Sequence, residues 1–301
     1  MFGVTILGNN SAIPAYNRHP TAQIITLNDE QFLIDCGEGT QMQMALYRIR
    51  RSKINHIFIS HLHGDHYFGL PGLITSYGLL SREQDLHVYA PAPLKEILEM
   101  QLAVADSKLS FALHIHTIEK EGILVETDKF SVQCFPVFHR IACWGFIIRE
   151  KSKPRKIDAA KAMEYEIPTS YFEKLKNGFD YENKHGQIIK NEWVTMAHKP
   201  CRSYAYASDT IYTESIAEKV KNVSLLYHET TYLKALEAKA ASRFHSTTVQ
   251  AANIAKLAVA KRLLIGHFSS KYDSLDEFIA EAREVFIDTD LALEGVSYLI
   301  K

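Results

Sequence analysis

The stretch His61–His66 has the sequence HLHGDH, an H-x-H-x-D-H pattern, and it directly follows the apolar run His56–Ser60. That run is rich in β-branched and aromatic residues, which predicts a buried strand. Three imidazoles and a carboxylate would then lie on the turn that leaves the strand, where burial without partners would be costly. Imidazole suits zinc, and a carboxylate among histidines is typical of hydrolytic sites that keep an open position. The stretch therefore predicts a metal centre.

Other polar residues leave alternatives open. His114 and His116 alternate along the predicted strand Phe111–Ile118, which places them on one face, but no Asp-His follows them. We interpret this pair as packing or surface residues. His19 lies in a loop without a partner at ligand spacing, so it is a weak candidate for a ligand. Asp35 is either an acceptor that orients a metal-bound histidine or a carboxylate that caps a turn or helix.

Several motifs resemble those of a known family. HLHGDHYFGLPGL, which begins at His61, resembles the zinc motif of the metallo-β-lactamase superfamily, and its FGLPGL part resembles the ribonuclease Z branch. LIDCGEGTQ, HETT, HSTT and GHFSSKY resemble further ribonuclease Z motifs. The resemblance covers Gly3 to about Tyr272, with close matches at six separated places. It implies a four-layer αβ/βα sandwich, whereas periodicity alone predicts only an α/β protein with a mixed sheet.

The resemblance also implies a set of ligands for two zinc ions per chain. One ion would be bound by His61, His63 and His139, the other by Asp65, His66 and His267, and Asp209 would bridge them. His139 is expected at the end of a predicted strand over 130–138. Asp209 follows the predicted strand Tyr204–Ser208, and without the resemblance it is better explained as an N-cap residue of a predicted helix over Ile211–Val220.

The activity that the resemblance implies is hydrolysis of a phosphodiester bond. The two ions would activate a water molecule, which Asp65 could orient for attack on phosphorus. His245 would protonate the leaving 3′-oxygen, with Glu229 holding its imidazole. The expected enzyme is a zinc-dependent endoribonuclease that removes the 3′ trailer from pre-tRNA, leaving a 3′-hydroxyl on the tRNA and a 5′-phosphate on the trailer. Family members are typically homodimers.

Length and composition set further limits. The 301 residues, 47% of them apolar, suffice for one large domain over 1–301. No apolar run approaches the ~20 residues of a membrane span, and the N-terminus lacks the pattern of a signal peptide. Four scattered cysteines are typical of reduced thiols in a cytoplasmic protein. The net charge of −1 means that a nucleic-acid ligand would need a local basic patch.

The segment 150–191 is predicted to be an insertion, because the strand signal disappears from Arg149 to about Asn191. Lys151–Lys156 has the sequence KSKPRK, and Arg149 to Lys176 contains eight Lys/Arg and five Asp/Glu, a balance of +3. Such a charge run can be a solvated face, but long insertions in compact domains are commonly functional. By resemblance, the insertion is a protruding flexible arm that binds the tRNA body.

Two features of this region differ from the family pattern. The arm has Pro168–Tyr171 where the family usually has a Gly-Pro pair ahead of a Lys-Leu-Lys run. The basic stretch that usually precedes the next strand is reduced to His198–Arg202.

Two rival functions remain open. A superfamily member of different chemistry, such as a thioesterase or lactamase, would keep the metals without needing the arm or the pair of Glu229 and His245. A non-catalytic RNA-binding or scaffold protein would tolerate the loss of ligands. All seven expected ligands are present, which argues against the second rival.

Overall fold

Two seven-stranded sheets form the centre of the fold, and several of their strands end next to predicted metal ligands. The computed structural model describes residues 1–151, 154–197 and 200–301. In chain order, the strands of the described residues are β1 Phe2–Gly8, β2 Asn10–Ser11, β3 Ala22–Leu27, β4 Glu30–Cys36, β5 Ile54–Phe58, β6 Leu86–Ala90, β7 Leu113–Thr117, β8 Gly122–Glu126, β9 Phe130–Val137, β10 Cys143–Glu150, β11 Lys156–Ile157, β12 Tyr181–Glu182, β13 Ile188–Ile189, β14 Thr195–Met196, β15 Ser203–Ala207, β16 Leu225–Glu229, β17 Leu263–Gly266, β18 Phe268–Ser269, β19 Thr289–Leu291 and β20 Ser297–Leu299.

The helices connect these strands and cover the sheets. The α-helices are α1 Thr40–Leu46, α2 Gly64–Tyr67, α3 Leu70–Leu79, α4 Pro93–Val104, α5 Ala159–Glu164, α6 Phe172–Lys176, α7 Asn191–Val194, α8 Ser215–Lys219, α9 Glu237–Ser242, α10 Thr248–Leu257 and α11 Asp276–Val285. Short 3₁₀ turns lie at Arg51–Lys53, Thr169–Tyr171 and Lys234–Leu236. Within the described ranges, no helix is both long and apolar enough to cross a membrane.

The strand order explains how distant parts of the sequence meet. The first sheet has the order β20-β1-β3-β4-β5-β6-β7, and the second has the order β19-β17-β16-β15-β10-β9-β8. Strands β4 to β7 are parallel to one another, as are β15, β16, β17 and β19. The carboxyl ends of parallel strands lie at one edge of a sheet, which is where α/β folds commonly place functional residues.

The layers of the fold follow from burial on both faces of each sheet. On the outer faces, helices α1, α3 and α4 pack on the first sheet, and α8, α10 and α11 pack on the second. On the inner faces, the rings of Phe58 and Phe146 lie 5.5 Å apart, and Phe146 stacks on Tyr206 at 6.5 Å. The predicted four-layer αβ/βα sandwich is confirmed.

A second compact unit consists of Thr127–Ser131 and Arg149–Cys201. It has a small apolar core that includes Ala162, Leu175 and Val194. The buried side chain of Asn191 ties its loops together by donating to the carbonyls of Leu175 and Phe179 at 2.8 and 3.0 Å.

This unit corrects one prediction and leaves others outside the described residues. The missing strand signal predicts no strands here, but β11 pairs with β14 and β12 pairs with β13. Each pair is only two residues long, too short to give a detectable alternation. Lys153 of the basic run and His198 and Lys199 of the reduced basic stretch lie outside the described residues.

Two predicted boundaries near the centre are also wrong. The strand predicted over His56–Ser60 ends at Phe58, so Ser60 lies on the loop with the histidines. The helix predicted over Ile211–Val220 begins only at Ser215, and the Ile211 N–H ahead of it donates to the carbonyl of Phe138 at 2.9 Å. Asp209 is therefore not the cap of that helix.

Candidate metal centre

A first group of ligand atoms gathers where β5, β9 and β15 end. Nδ1 of His63 lies 3.0 Å from Nε2 of His61 and 3.1 Å from Nε2 of His139. Oδ2 of Asp209 lies 3.6 Å from Nε2 of His61 and 4.0 Å from that of His139. The four ligand atoms lie within 4.8 Å of one another, a spacing that one metal ion can span.

A second group lies beside the first. Nε2 of His66 and Nε2 of His267 lie 3.6 and 3.5 Å from Oδ2 of Asp65. His267 directly follows β17 and has a φ of 61°, a conformation that non-glycine residues rarely adopt and that is common at functional sites. The structure thus gathers into two adjacent groups all seven residues that the sequence predicted as ligands.

Asp209 lies between the two groups. Its Oδ2 also lies 3.5 Å from Nε2 of His66, and its Oδ1 lies 3.2 Å from Nε2 of His267. Nε2 of both histidines and Oδ1 of Asp209 are buried without a hydrogen-bond partner among the described residues. Buried polar atoms are rarely left unpaired. Together these atoms form a donor set of imidazoles and carboxylates that fits zinc.

A glycine turn makes room for the ligand loop. A side chain at Gly37 would lie 2.4 Å from the carbonyl oxygen of Asp65 and 2.6 Å from the Pro20 ring. Because the clash would be with backbone, only glycine allows the turn after β4 to approach the loop of Asp65 this closely.

Asp35 orients one histidine of the second group. Its Oδ2 lies 2.8 Å from Nδ1 of His66 and accepts hydrogen bonds from the Ser60 hydroxyl at 2.8 Å and the Tyr206 hydroxyl at 2.6 Å. Its Oδ1 accepts from the Ser60 N–H at 2.7 Å. Helix α1 is instead preceded by Gly39, without a side-chain cap. Of the two alternatives for Asp35, the structure therefore has the contact with a histidine.

Glu229 lies in a second polar network, which contains His245. Oε1 of Glu229 lies 3.0 Å from Nδ1 of His245, and Oε2 accepts a hydrogen bond from the Thr231 hydroxyl at 2.8 Å. The same hydroxyl lies 2.9 Å from Nδ1 of His267. Backbone N–H groups of Thr231 and Ser246 also donate to this carboxylate, both at 2.9 Å. Glu229 is completely buried, so its charge is balanced by these contacts.

The electrostatics of the two groups differ. Burial, together with the neighbouring His139 ring, lowers the pKa of His63 to about 4. Burial also acts to lower the pKa of His66, but the carboxylates of Asp209, Asp65 and Asp35 outweigh it and raise that pKa well above its ordinary value. The first group therefore consists mainly of neutral imidazoles, and the second is rich in negative charge.

The pKa of His245 is also raised. Burial acts to lower it, but the charge and hydrogen bond of Glu229, with smaller effects of Asp209 and Asp65, raise it to about 9. The His245 ring is consequently protonated at neutral pH, as a general acid must be.

A cavity of ≈ 450 Å³ opens onto the centre. Asp65, Asp209 and His245 line its inner end, while Phe68 and Arg140 line it farther out. An aromatic ring and a guanidinium suit the two parts of a nucleotide, because bases stack on rings and phosphates bind arginine.

The remaining polar candidates lie elsewhere. Nδ1 of His19 pairs with Oε2 of Glu294 at 2.9 Å, so His19 has a partner outside the centre. His114 is exposed on β7, as a surface interpretation expects. The sequence did not single out Thr231, although it joins Glu229 to two histidines; its only sequence signal is its place in HETT.

Comparison with known proteins agrees with this geometry. Ribonuclease Z of Bacteroides thetaiotaomicron is 41% identical over 301 residues, which cover 99% of this chain and 95% of the relative. Ribonuclease Z of Porphyromonas gingivalis is 41% identical over 295 residues, which cover 97% of each chain. The human tRNase Z, short form, superposes with a TM-score of 0.73 at 27% identity and 99% coverage of both chains. YhfI from Bacillus subtilis, a metallo-β-lactamase fold protein, has a TM-score of 0.70 at 19% identity and 99% and 98% coverage.

The N-terminal half matches one family model as well. Residues 2–154 match the model described as Anti-Pycsar protein Apyc1. Fold and donor set together define a protein of the metallo-β-lactamase fold with a centre for divalent metal. Within that class, the full-length relatives show that this chain belongs to the ribonuclease Z family.

Proposed function

We propose that this protein is a zinc-dependent endoribonuclease that removes the 3′ trailer from pre-tRNA, leaving a 3′-hydroxyl on the tRNA and a 5′-phosphate on the trailer. Membership of the ribonuclease Z family supports the substrate and the reaction. The observation that carries the mechanism is the position of the His245–Glu229 pair beside two groups of metal ligands, at the inner end of one cavity.

The centre would hold two zinc ions per chain. His61, His63 and His139 would bind one, Asp65, His66 and His267 the other, and Asp209 would bridge them, as its contacts with both groups support. When bound, the ions would lower the pKa of a water molecule and offset the charge that grows on the phosphate.

The chain's own residues would orient the reactants. The Ala12 N–H donates to Oδ2 of Asp65 at 2.7 Å, which fixes the carboxylate that we expect to orient the attacking water. Arg140 and Phe68 would bind a phosphate and a base of the RNA, respectively, since both line the cavity.

His245 would then supply the proton that the leaving 3′-oxygen needs. Because Glu229 occupies Nδ1 of its ring, Nε2 is the atom available to the substrate. Asp65 and Glu229 thus act on opposite sides of the reaction, one on the water and the other through His245 on the leaving group.

The second compact unit would bind the body of the tRNA as an arm. The excess of Lys and Arg between Arg149 and Lys176 supports this role, because phosphate contacts provide most of the affinity for nucleic acids. The exposed lysines of the unit include Lys156, Lys161, Lys174 and Lys184.

We further propose that the protein is a cytoplasmic homodimer. Met42 and Leu46 lie four residues apart on helix α1, and their apolar side chains are 75% and 67% exposed. Exposed apolar side chains on one helix surface support a dimer face there. Light scattering after size-exclusion chromatography tests this, and a monomer at micromolar concentration would contradict it.

The central experiment is cleavage of a defined pre-tRNA with both new ends mapped. One cut after the discriminator base, with the ends stated above and loss of cleavage on zinc chelation, is expected. Hydrolysis of a thioester or a β-lactam without cleavage of pre-tRNA would instead identify a superfamily member of different chemistry.

A further inference from the structure

A second set of histidines lies at the edge of the first sheet, away from the centre. We call it the edge cluster and define it as Asp85, His87, His114 and His116. His87 on β6 and His114 on β7 are direct partners in the strand register, and their rings stack at 4.7 Å with 15° between the planes. His116 lies two residues after His114 on the same face of β7, 5.3 Å from the His87 ring.

Three residues of the edge cluster offer ligand atoms that lie close together. Nε2 of His114 lies 3.1 Å from Oδ2 of Asp85, and Nδ1 of His87 lies 3.0 Å from Nε2 of His116. Asp85, His87 and His114 each offer a ligand atom within 4.8 Å of the other two. Zinc–nitrogen bonds of ~2.0–2.1 Å in a tetrahedral site place two ligand atoms about 3.4 Å apart, so the 3.1 Å between His114 Nε2 and Asp85 Oδ2 is close to that of a bound pair. Binding of one ion also needs side-chain rotations that aim the stacked rings of His87 and His114 at it.

The rings behind the cluster limit those rotations. The His56 ring stacks on His87 at 5.2 Å, and the Tyr89 ring stacks on His116 at 4.5 Å. The outer ligands are open to solvent, since the side chains of Asp85 and His114 are 56% and 43% exposed. The stacked rings therefore hold the inner histidines in place, while Asp85 and His114 remain accessible to an ion from solvent.

We propose that the edge cluster contains a third metal site, which binds a divalent transition-metal ion such as zinc through Asp85, His87 and His114, with His116 beside them. Two imidazoles with a single carboxylate favour zinc, nickel or copper over magnesium or calcium, which prefer sets of oxygen ligands. Since β7 is the edge strand of its sheet, a bound ion would link it to β6 through side chains as well as through the backbone.

Zinc binding by the full-length protein tests this proposal. Equilibrium dialysis against ZnCl₂ with elemental analysis should give one zinc fewer per chain for the double variant His87→Gln/His114→Gln than for the unchanged protein. The control His185→Gln removes an exposed histidine of the second unit and should leave the number unchanged. Cleavage of pre-tRNA should persist in the double variant, because it retains every ligand of the centre.

A second variant tests the same proposal if the double variant does not fold. Asp85→Asn changes only an exposed carboxylate and should weaken the last zinc to bind by tenfold or more. Anomalous diffraction at the zinc edge should place that ion beside His114. Equal zinc binding by the unchanged protein and both folded variants would overturn the proposal and leave the edge cluster as two hydrogen-bonded pairs.

Discussion

The carboxylate of Glu229 lies 3.0 Å from Nδ1 of His245, and Glu229 is completely buried while the imidazole lines the cavity. His245 therefore lies between the buried charge of Glu229 and the cavity. This relationship gives the imidazole both a fixed orientation and a pKa raised to about 9. The contact with Glu229 explains why His245 can keep its proton although it lies near several metal ligands.

His245→Ala should retain zinc but lose about 10²–10⁴-fold in turnover of pre-tRNA, because the leaving 3′-oxygen loses its proton donor. The loss should be much smaller for bis(p-nitrophenyl) phosphate, whose leaving group needs little protonation. Turnover of both substrates by the same two proteins is the measurement. Equal losses would show that His245 does not act as the acid.

The pH dependence follows from the same pair. Because Glu229 raises the pKa of His245 to about 9 in the metal-free protein, the acid form persists at neutral pH, and cleavage of pre-tRNA should decline at alkaline pH as the ring loses its proton. The ion pair with Glu229 should stabilise the fold fully below the unfolded-state value of ~6.5 and lose this effect as pH rises through about 9. His245→Ala should lack the alkaline decline in rate.

Asp209→Ala should lose zinc and phosphodiesterase activity together. Its carboxylate contacts imidazoles of both groups, and removing it would leave two cations facing each other without a shared ligand. Elemental analysis of the dialysed protein measures this, with His185→Ala as the control that removes an exposed histidine elsewhere. Full zinc occupancy in Asp209→Ala would refute the bridging role.

Asp35→Ala should weaken zinc binding or activity by about 10–100-fold, the usual effect of removing a residue that orients a ligand. The substitution removes the acceptor beside Nδ1 of His66 and leaves the Tyr206 hydroxyl without its partner. Zinc affinity from a competition assay with a chromogenic chelator is the readout. If Asp35 served only the fold, the melting temperature would fall while the zinc affinity of the folded protein stayed the same.

Metal binding should release protons mainly from the second group. In the metal-free protein, nearby carboxylates keep His66 protonated at neutral pH, whereas His63 is already neutral because its pKa is about 4. Zinc must displace the proton of His66, so filling the second group at pH 7 should release more protons than filling the first. Calorimetric titrations in buffers of different ionisation enthalpy count these protons, and zero release would contradict the assignment.

Replacing the lysines of the arm should weaken pre-tRNA binding and flatten its dependence on salt. Each lost phosphate contact should reduce the slope of log affinity against log salt by about 0.7–0.9. Turnover of a small diester should be spared, because the metal ligands lie in the other unit. The arm variant carries alanine at Lys156, Lys161, Lys174 and Lys184. A matched control removes four exposed lysines of the first unit, at Lys95, Lys239, Lys256 and Lys261. Equal effects of the two variants would mean that the arm is an ordinary solvated insertion.

The sequence predicted those parts of the structure whose signals are local or belong to a motif. The strand predicted over 130–138 is β9 Phe130–Val137, and the strand predicted over Tyr204–Ser208 is β15 Ser203–Ala207, so each agrees to within one residue at either end. The ligands after β5 form one contiguous motif. His139, Asp209 and His267 are single residues at strand ends, and only the family resemblance joined them to it.

What could not be predicted depends on contacts between distant segments. The hydroxyl of Thr231 contacts two histidines that follow it by 14 and 36 residues, a relation that no local pattern encodes. The segment ahead of α8 contacts a distant strand end through the hydrogen bond from Ile211 to Phe138. The short strands of the second unit pair too few residues to produce a period. The role of each site residue stays a prediction until the variants above are measured.

Asp35 receives hydrogen bonds from Ser60, which follows a strand of the first sheet, and from Tyr206, which lies on a strand of the second. His66 lies on the loop and helix that follow β5 of the first sheet, and Asp209 follows β15 of the second sheet. Zinc affinity and the association of the two sheets are therefore thermodynamically linked. A chain saturated at 1,000 times its dissociation constant would gain about 4 kcal/mol of stability from one ion. Chelators should accordingly lower the melting temperature, and substitutions in the aromatic layer between the sheets, such as Phe146→Ala, should reduce zinc retention without touching a ligand.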